Sequence, residues 1–234
     1  MERHFHHDLE SLRDRLADMA GRAETAITKS MIALRDLDAS LAEEIRLEDL
    51  EIDRIELEIE RSCLAFLGLQ QPVARDLRFI VAAIRISNDL ERIGDHAVNI
   101  AHSAVRLGQA GPGKPLDLDL PQMAEKAAAM LRDSITAWLN GDGPLAKNVC
   151  ERDVEVDSYR TRLFTKLSEA MIRSRDSVPR ALELLLVSRN LERVADLATN
   201  IAEDAIFVAE ARVIKHHAEE EHLGTATGSG PSAS

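Results

Sequence analysis

Glu91 with Asp95, and Glu192 with Asp196, lie inside two copies of one stretch, Ile86-Ser-Asn-Asp-Leu-Glu-Arg-Ile-Gly-Asp-His-Ala-Val-Asn-Ile-Ala101 and Val187-Ser-Arg-Asn-Leu-Glu-Arg-Val-Ala-Asp-Leu-Ala-Thr-Asn-Ile-Ala202. In a helix, acids four residues apart stack on one face. By helical phase Glu91 and Asp95 fall in the apolar stripe of Ile80, Ile84, Val98 and Val105, while Arg78, Arg85, Arg92 and His96 share a different wedge. Asp49/Asp53 and Asp153/Asp157 repeat the spacing, with Glu56 and Glu60 continuing along the border of the stripe. Carboxylates gathered in apolar surroundings repel one another, so they must be protonated, paired with arginine or neutralised by a cation.

Recurrence in both copies points to cation sites: Asp49, Asp53, Glu91 and Asp95 in the first, and Asp153, Asp157, Glu192 and Asp196 in the second. All-oxygen donors suit divalent or trivalent ions such as Mg, Ca, Mn or Fe better than a structural Zn, which prefers Cys and His. A competing reading keeps the acids solvated and paired with Arg54, Arg92 and Arg193.

Catalysis is the weaker reading. Di-iron carboxylate bundles need Glu-x-x-His on two helices, and neither Glu91 nor Glu192 has a His three residues on. No Gly-rich phosphate loop and no Ser/His/Asp or Cys/His constellation stands out. A non-enzymatic binding module is therefore expected, its rival being a metal-dependent carboxylate-bundle enzyme or a metal-storage protein. The His4-Phe5-His6-His7 run reads as exposed histidines on a loose start over residues 1 to 8, and Trp138 and Tyr159 read as packing.

The elements that must position these acids are helices. Apolar residues at Leu9, Leu12, Leu16, Met19, Ala23 and Ile27 predict a first helix from Asp8 to Leu37. Ile45, Ile52, Ile55, Ile59 and Cys63 predict a second after Asp38, ended by Gly68 and Gln70-Gln71-Pro72. A third spans 73–107, with Asp76 in its first turn, where an acid favours the helix dipole. After the break at Gly111-Pro112-Gly113 the pattern restarts. A shift of 104 residues lays Met19 on Met123, Ser30 on Ser134, Asp38 on Asp142 and Asp49 on Asp153; the third helix repeats at 101. Helices at about 117–140, 144–174 and 178–217 complete the second copy, with Pro179 in the first turn of the last. The expected architecture is all-α: two tandem three-helix bundles, 8–108 and 116–217, related by an approximate two-fold axis, followed by a small, polar, disordered tail over 218–234.

Composition agrees. Hydrophobic residues make up 45% and aromatics 3% of the 234, with 11 Gly and 7 Pro, as in packed helices. The net charge of −12 argues against nucleic acid as a partner. No apolar run approaches the roughly 20 residues of a membrane span, and an opening carrying Glu2, Asp8 and Glu10 reads as no signal peptide. Cys63 and Cys150, both in apolar helical contexts, are expected to be buried thiols in a reducing, cytoplasmic setting.

With these residues in view, the chain resembles the PhoU family of phosphate-uptake regulators over about residues 8–217. The resemblance is carried by Asp49-Leu-Glu-Ile-Asp53, Gln70-Gln-Pro-Val-Ala-Arg-Asp-Leu-Arg78, Asp89-Leu-Glu-Arg-Ile-Gly-Asp95 with Asn99-Ile-Ala101, and Leu191-Glu-Arg-Val-Ala-Asp196 with Asn200-Ile-Ala202. It implies two three-helix bundles able to carry multinuclear metal clusters (Fe, Mn, Mg or Zn) on Glu-x-x-x-Asp acids, in a cytoplasmic protein often found as a homodimer. It also implies a function. Members do not transport phosphate but stand between the phosphate ABC transporter ATPase and a sensor histidine kinase, repressing phosphate-starvation genes when phosphate is plentiful. The second copy departs from the first: Asn190 replaces Asp89, Ala195 replaces Gly94, and Ser177-Val-Pro stands where Arg75-Asp-Leu-Arg would.

Overall fold

The computed structural model describes residues 2–110 and 118–211, the side chains from residue 7 onward. Among them six long helices carry the fold: α1 (Glu2–Asp36), α2 (Ala39–Gln70), α3 (Ala74–Gln109), α4 (Leu120–Asn140), α5 (Gly143–Arg173) and α6 (Val178–Glu210). A 3₁₀ turn, Arg175–Ser177, leads into α6. The expected loose start is helical from Glu2, the apolar spacing of the first helix having given no hint of the turns before Asp8. Gly68 lies within α2, which ends instead at Gln71 in the left-handed region (φ 48°). The expected tail over 218–234, the end of the sixth helix to 217 and most of the break between the bundles lie outside the described residues.

The α1–α2 and α4–α5 turns show the duplication at the level of single dihedrals. Leu37 (φ 52°) and Gly141 (φ 65°), which the repeat superposes, both reverse the chain in the left-handed region. Glycine takes that conformation freely; a side chain costs about 1 kcal/mol. Leu37 keeps its side chain against the core. Each turn then delivers an aspartate N-cap: Asp38 accepts from the Ser40 and Leu41 amides, Asp142 from the Leu145 amide.

α1, α2 and α3 pack as one bundle and α4, α5 and α6 as a second. The first core is built from Leu12, Leu16, Met19 and Ile27 of α1, Ile45, Ile52, Ile55 and Ile59 of α2, and Ile80, Ile86, Leu90 and Ile93 of α3. The bundles meet where α3 and α6 cross antiparallel, as three polar links along their length show. Arg85 bonds Asp204 at 3.0 Å, Arg106 bonds Glu183 at 2.8 Å, and His96 Nδ1 lies 2.9 Å from Asn190 Oδ1. Because the Asn190 amide nitrogen donates to Leu186 O, its carbonyl oxygen faces His96, which donates from Nδ1. Small residues along both helices, Ala83, Ala97, Ala101 and Ala104 on α3 and Ala195, Ala198, Ala202 and Ala205 on α6, are buried and permit close approach. Burial on nearly every side leaves Glu91 and Asp95 of α3 and Glu192 and Asp196 of α6 at the less buried edges, while Asp89 and Asp204 are themselves buried.

Both cysteines are free thiols, Cys63 fully buried and Cys150 half-buried; burial raises them to about 12 and about 11. Trp138 is buried and Tyr159 packs against the core, as their helical positions suggested. Among the described residues no helix is long and apolar enough to cross a membrane.

Candidate metal centre

α2 and α3 bring the first four acids together. Gly94 of α3 faces Asp49 of α2 so closely that a Cβ built on the glycine would overlap Asp49 Oδ1, with Ile52 Cδ1 at 3.2 Å from the same point. A glycine at this position lets the carboxylate lie against the α3 backbone. There Asp49 Oδ1 is buried with no hydrogen-bond partner among the described residues. An oxygen so placed is costly as a free charge.

Protonation behaviour records the same crowding. Burial pushes Asp49 up to about 7, and Asp53, Asp95 and Glu91 push it further in the same direction. Asp53 is raised by burial and then by Asp95. Glu91 is raised by burial and by Asp95, Asp53 and Glu56, with only Arg92 opposing. Glu56 is itself raised by burial, Glu60 and Asp53. Thus Asp49, Asp53 and Glu91 feel one another's charge or that of Asp95, and Glu56 joins them.

The arginines that could have quenched this charge are turned elsewhere. Arg54 bonds Glu51 and Glu58 along α2, and Arg92 reaches Asp89 at 3.4 Å. Asp89 is buried and raised to about 6 by burial, the Asp204 charge adding to the rise while Arg92 counteracts it. The sequence had marked Asp89 only as part of the repeated motif, because a lone acid next to an arginine carries no spacing signal.

Glu91 is half-buried, like Ile84, Val98 and Val105 of the stripe it shares by helical phase, and Asp95 is exposed, while the fully buried face of α3 runs through Ala83, Ile86, Leu90, Ile93, Ala97 and Ile100. Because α1, α2 and α6 cover α3 from several sides, its apolar arc is wider than that one stripe, which lies at the arc's edge. As the side chains stand, no three His, Cys, Asp or Glu residues among those described are grouped tightly enough to hold a metal ion. The donor set nevertheless has the chemistry for a hard cation: neighbouring carboxylates, one of their oxygens buried and unpartnered, with Arg92 the one arginine among the described residues that opposes the rise of Glu91.

The second set is differently compensated. Arg160 of α5 lies 3.1 Å from Glu192, and Arg193 lies 2.9 Å from Asp196. Burial still raises Glu192, with Asp196 and Asp157 adding to the rise and Arg160 and Arg193 opposing it. Arg160 occupies the position that Glu56 holds in the first copy, a charge reversal that was readable once the copies were superposed. Because Asn190 replaces Asp89, Arg193 has no acid three residues before it and turns to Asp196 instead. Asp153 also engages a neighbour. Ala195, with a Cβ where Gly94 has none, closes the approach that Asp49 uses. For Glu192 and Asp196 the arginine-paired reading describes the second bundle, through Arg193 as anticipated and through Arg160, which it had not included.

Fold and site together define a doubled three-helix bundle that carries an uncompensated carboxylate cluster in its first half and an arginine-compensated one in its second. The PhoU domain matches this chain twice, over residues 16–104 and 120–205, and the chain belongs to the PhoU family. It is 35% identical, over 96% of its length and 94% of the relative's, to a phosphate-specific transport system accessory protein PhoU homolog of Zymomonas mobilis. Identity is 38% to the homolog of the same name from Aquifex aeolicus, over 92% of this chain and 97% of that one. The crystal structure of PhoU from Pseudomonas aeruginosa superposes with a TM-score of 0.85 at 31% identity, covering 89% of this chain and all of that one. The phosphate transport system regulatory protein PhoU from Streptococcus pneumoniae gives 0.82 at 26%, covering 91% of this chain and 100% of that one.

Proposed function

We propose that this chain is a non-enzymatic accessory regulator of phosphate uptake: a cytoplasmic adaptor, working as a homodimer, between the phosphate ABC transporter ATPase and a sensor histidine kinase, which represses the phosphate-starvation response. The observation that carries this reading is near full-length similarity to relatives named as accessory and regulatory proteins of phosphate transport. Two rigid bundles locked along α3 and α6 suit an adaptor, which must present fixed faces to two partners. Deletion in the source organism is expected to raise phosphate-regulon reporter expression in phosphate-rich medium. Unchanged expression, or failure of the tagged protein to co-purify with ATPase and kinase at either phosphate level, refutes the reading.

Asp49, Asp53, Glu91 and Asp95 are the residues that would hold a divalent or trivalent cation, with Asp153, Asp157, Glu192 and Asp196 a weaker second set. A bound cation would supply the positive charge that the first cluster lacks. Asp49, raised to about 7, would give up its proton share on binding, and the α2–α3 contact beside Gly94 would tighten.

A further inference from the structure

Away from the acid clusters, α1, α4 and the start of α6 line a half-open pocket of about 680 Å³. Its walls are mostly apolar, with Ile27 and Leu34 from α1, Leu120 and Ala124 from α4, and Leu184 from α6. The internal symmetry explains why the space exists. The repeat superposes Leu34 on Trp138 and Phe79 on Arg180. At the symmetric place Phe79 and Trp138 stack face to face, ring centroids 4.7 Å apart, and fill the volume with two aromatic side chains. Here the same two positions hold a leucine and an arginine, so the room for a ring system is left open.

The polar groups at this cavity differ in one respect. Arg132 is engaged by Glu24 and Arg35 by Asp36, while Glu125 lies exposed at the rim. Arg180 forms no ion pair among the described residues, and its Nε is buried without a hydrogen-bond partner. A guanidinium that lines a mostly apolar pocket of ligand size without an ion pair is an acceptor-seeking group.

We propose that this cavity binds a small aromatic monoanion, its ring body taking the volume that Phe79 and Trp138 fill in the other half and its anionic group accepting from Arg180. Volume and shape argue for the ring system, and the unpartnered guanidinium argues for the single negative charge. The site lies apart from the acid clusters and stands whether or not they hold metal.

The probe is 8-anilinonaphthalene-1-sulfonate, an aromatic monoanion whose fluorescence rises on burial, titrated into the full-length protein. Saturable binding of one dye per chain is expected. Leu34→Trp, which copies the filled half, is expected to abolish it, as is the milder filling substitution Ala128→Leu, which decides the matter should Leu34→Trp fail to fold by circular dichroism. Arg180→Gln is expected to weaken binding about tenfold, the loss of a charge-assisted hydrogen bond. Leu57→Ser, on the exposed side of α2, should change nothing. Absence of saturable binding overturns the proposal, as does binding indifferent to the filling variants and to Arg180→Gln. If Leu34→Trp instead converts a dimer to a monomer by light scattering, the cavity seats a second copy and the proposal fails.

Discussion

The two acid clusters descend from one motif, yet the chain treats them differently. In the first, burial and the neighbouring carboxylates, Asp95 among them, raise the proton affinity of Asp49, Asp53 and Glu91, and Glu56 adds to the crowding. In the second, Arg160 stands at the position of Glu56 and pairs with Glu192, opposing its rise, while Arg193 turns to Asp196 because Asn190 offers it no partner. Motif identity is therefore a poor guide to site identity. What decides is the charge that the neighbouring helix presents, together with the one atom by which Gly94 and Ala195 differ.

The contrast can be broken most directly by measuring the response to metal. Melts of the metal-loaded and chelator-treated protein should differ by about 2.7 kcal/mol when free metal exceeds Kd a hundredfold, roughly 5–10 °C for a chain of this size. Glu91→Gln with Asp95→Asn is expected to erase that difference while leaving the chelated protein as stable as before or more so, because like charges are removed. Glu192→Gln with Asp196→Asn should leave most of it. Equal losses from the two pairs, or no difference between metal and chelator in the wild type, would remove the distinction.

Exchanging the compensating charge sharpens the comparison. Glu56→Arg should cost the first cluster about 1–2 kcal/mol of metal binding, the scale of one close charge at a partly solvated site. Arg160→Glu should strengthen the second cluster by a similar amount. Calorimetric titration of both variants tests this, and an unchanged affinity in each would show that Arg160 and Glu56 are bystanders.

The smallest effect concerns protons. Asp49 rises from 3.8 to about 7 in the folded chain, so without metal the folded state keeps a proton that the unfolded state releases across that interval. Stability is therefore expected to be highest at the acid end of the interval, as far as this group is concerned, to fall as pH rises through about 7, and to level off above. Asp49→Asn should flatten this slope and be about 1–2 kcal/mol more stable than wild type at pH 8 in chelator. Denaturant midpoints across the pH range give the comparison, and a slope that survives the substitution assigns it to other groups such as Asp89.

Much of this molecule was open to inspection in the chain itself. The doubled helices were readable because apolar spacing and the shift from Asp38 to Asp142 are local signals, repeated in register. All eight candidate acids were selected from the same signals, and the charge reversal between Glu56 and Arg160 stood in the sequence once the copies were superposed. The end of α3 was legible to within two residues, Gln109 against the expected Leu107, since glycine and proline punctuate locally. The helical turns before Asp8 were missed because Glu2-Arg-His-Phe-His-His7 carries no apolar three-four spacing.

Tertiary packing decided the rest. Whether Glu91 and Asp95 are buried depended on how many helices cover α3, and a single helical wheel cannot count neighbours. Which acid an arginine serves depended on distances between helices: Arg92 goes to Asp89, Arg193 to Asp196, and Arg160 crosses from α5 to α6. The open cavity beside Arg180 and the unpartnered Asp49 Oδ1 exist only once separate segments enclose them. Periodicity and capping act between residues a few positions apart, so the chain determines them alone. Burial, charge compensation and empty volume are properties of what surrounds a residue, and only the packed bundle sets them.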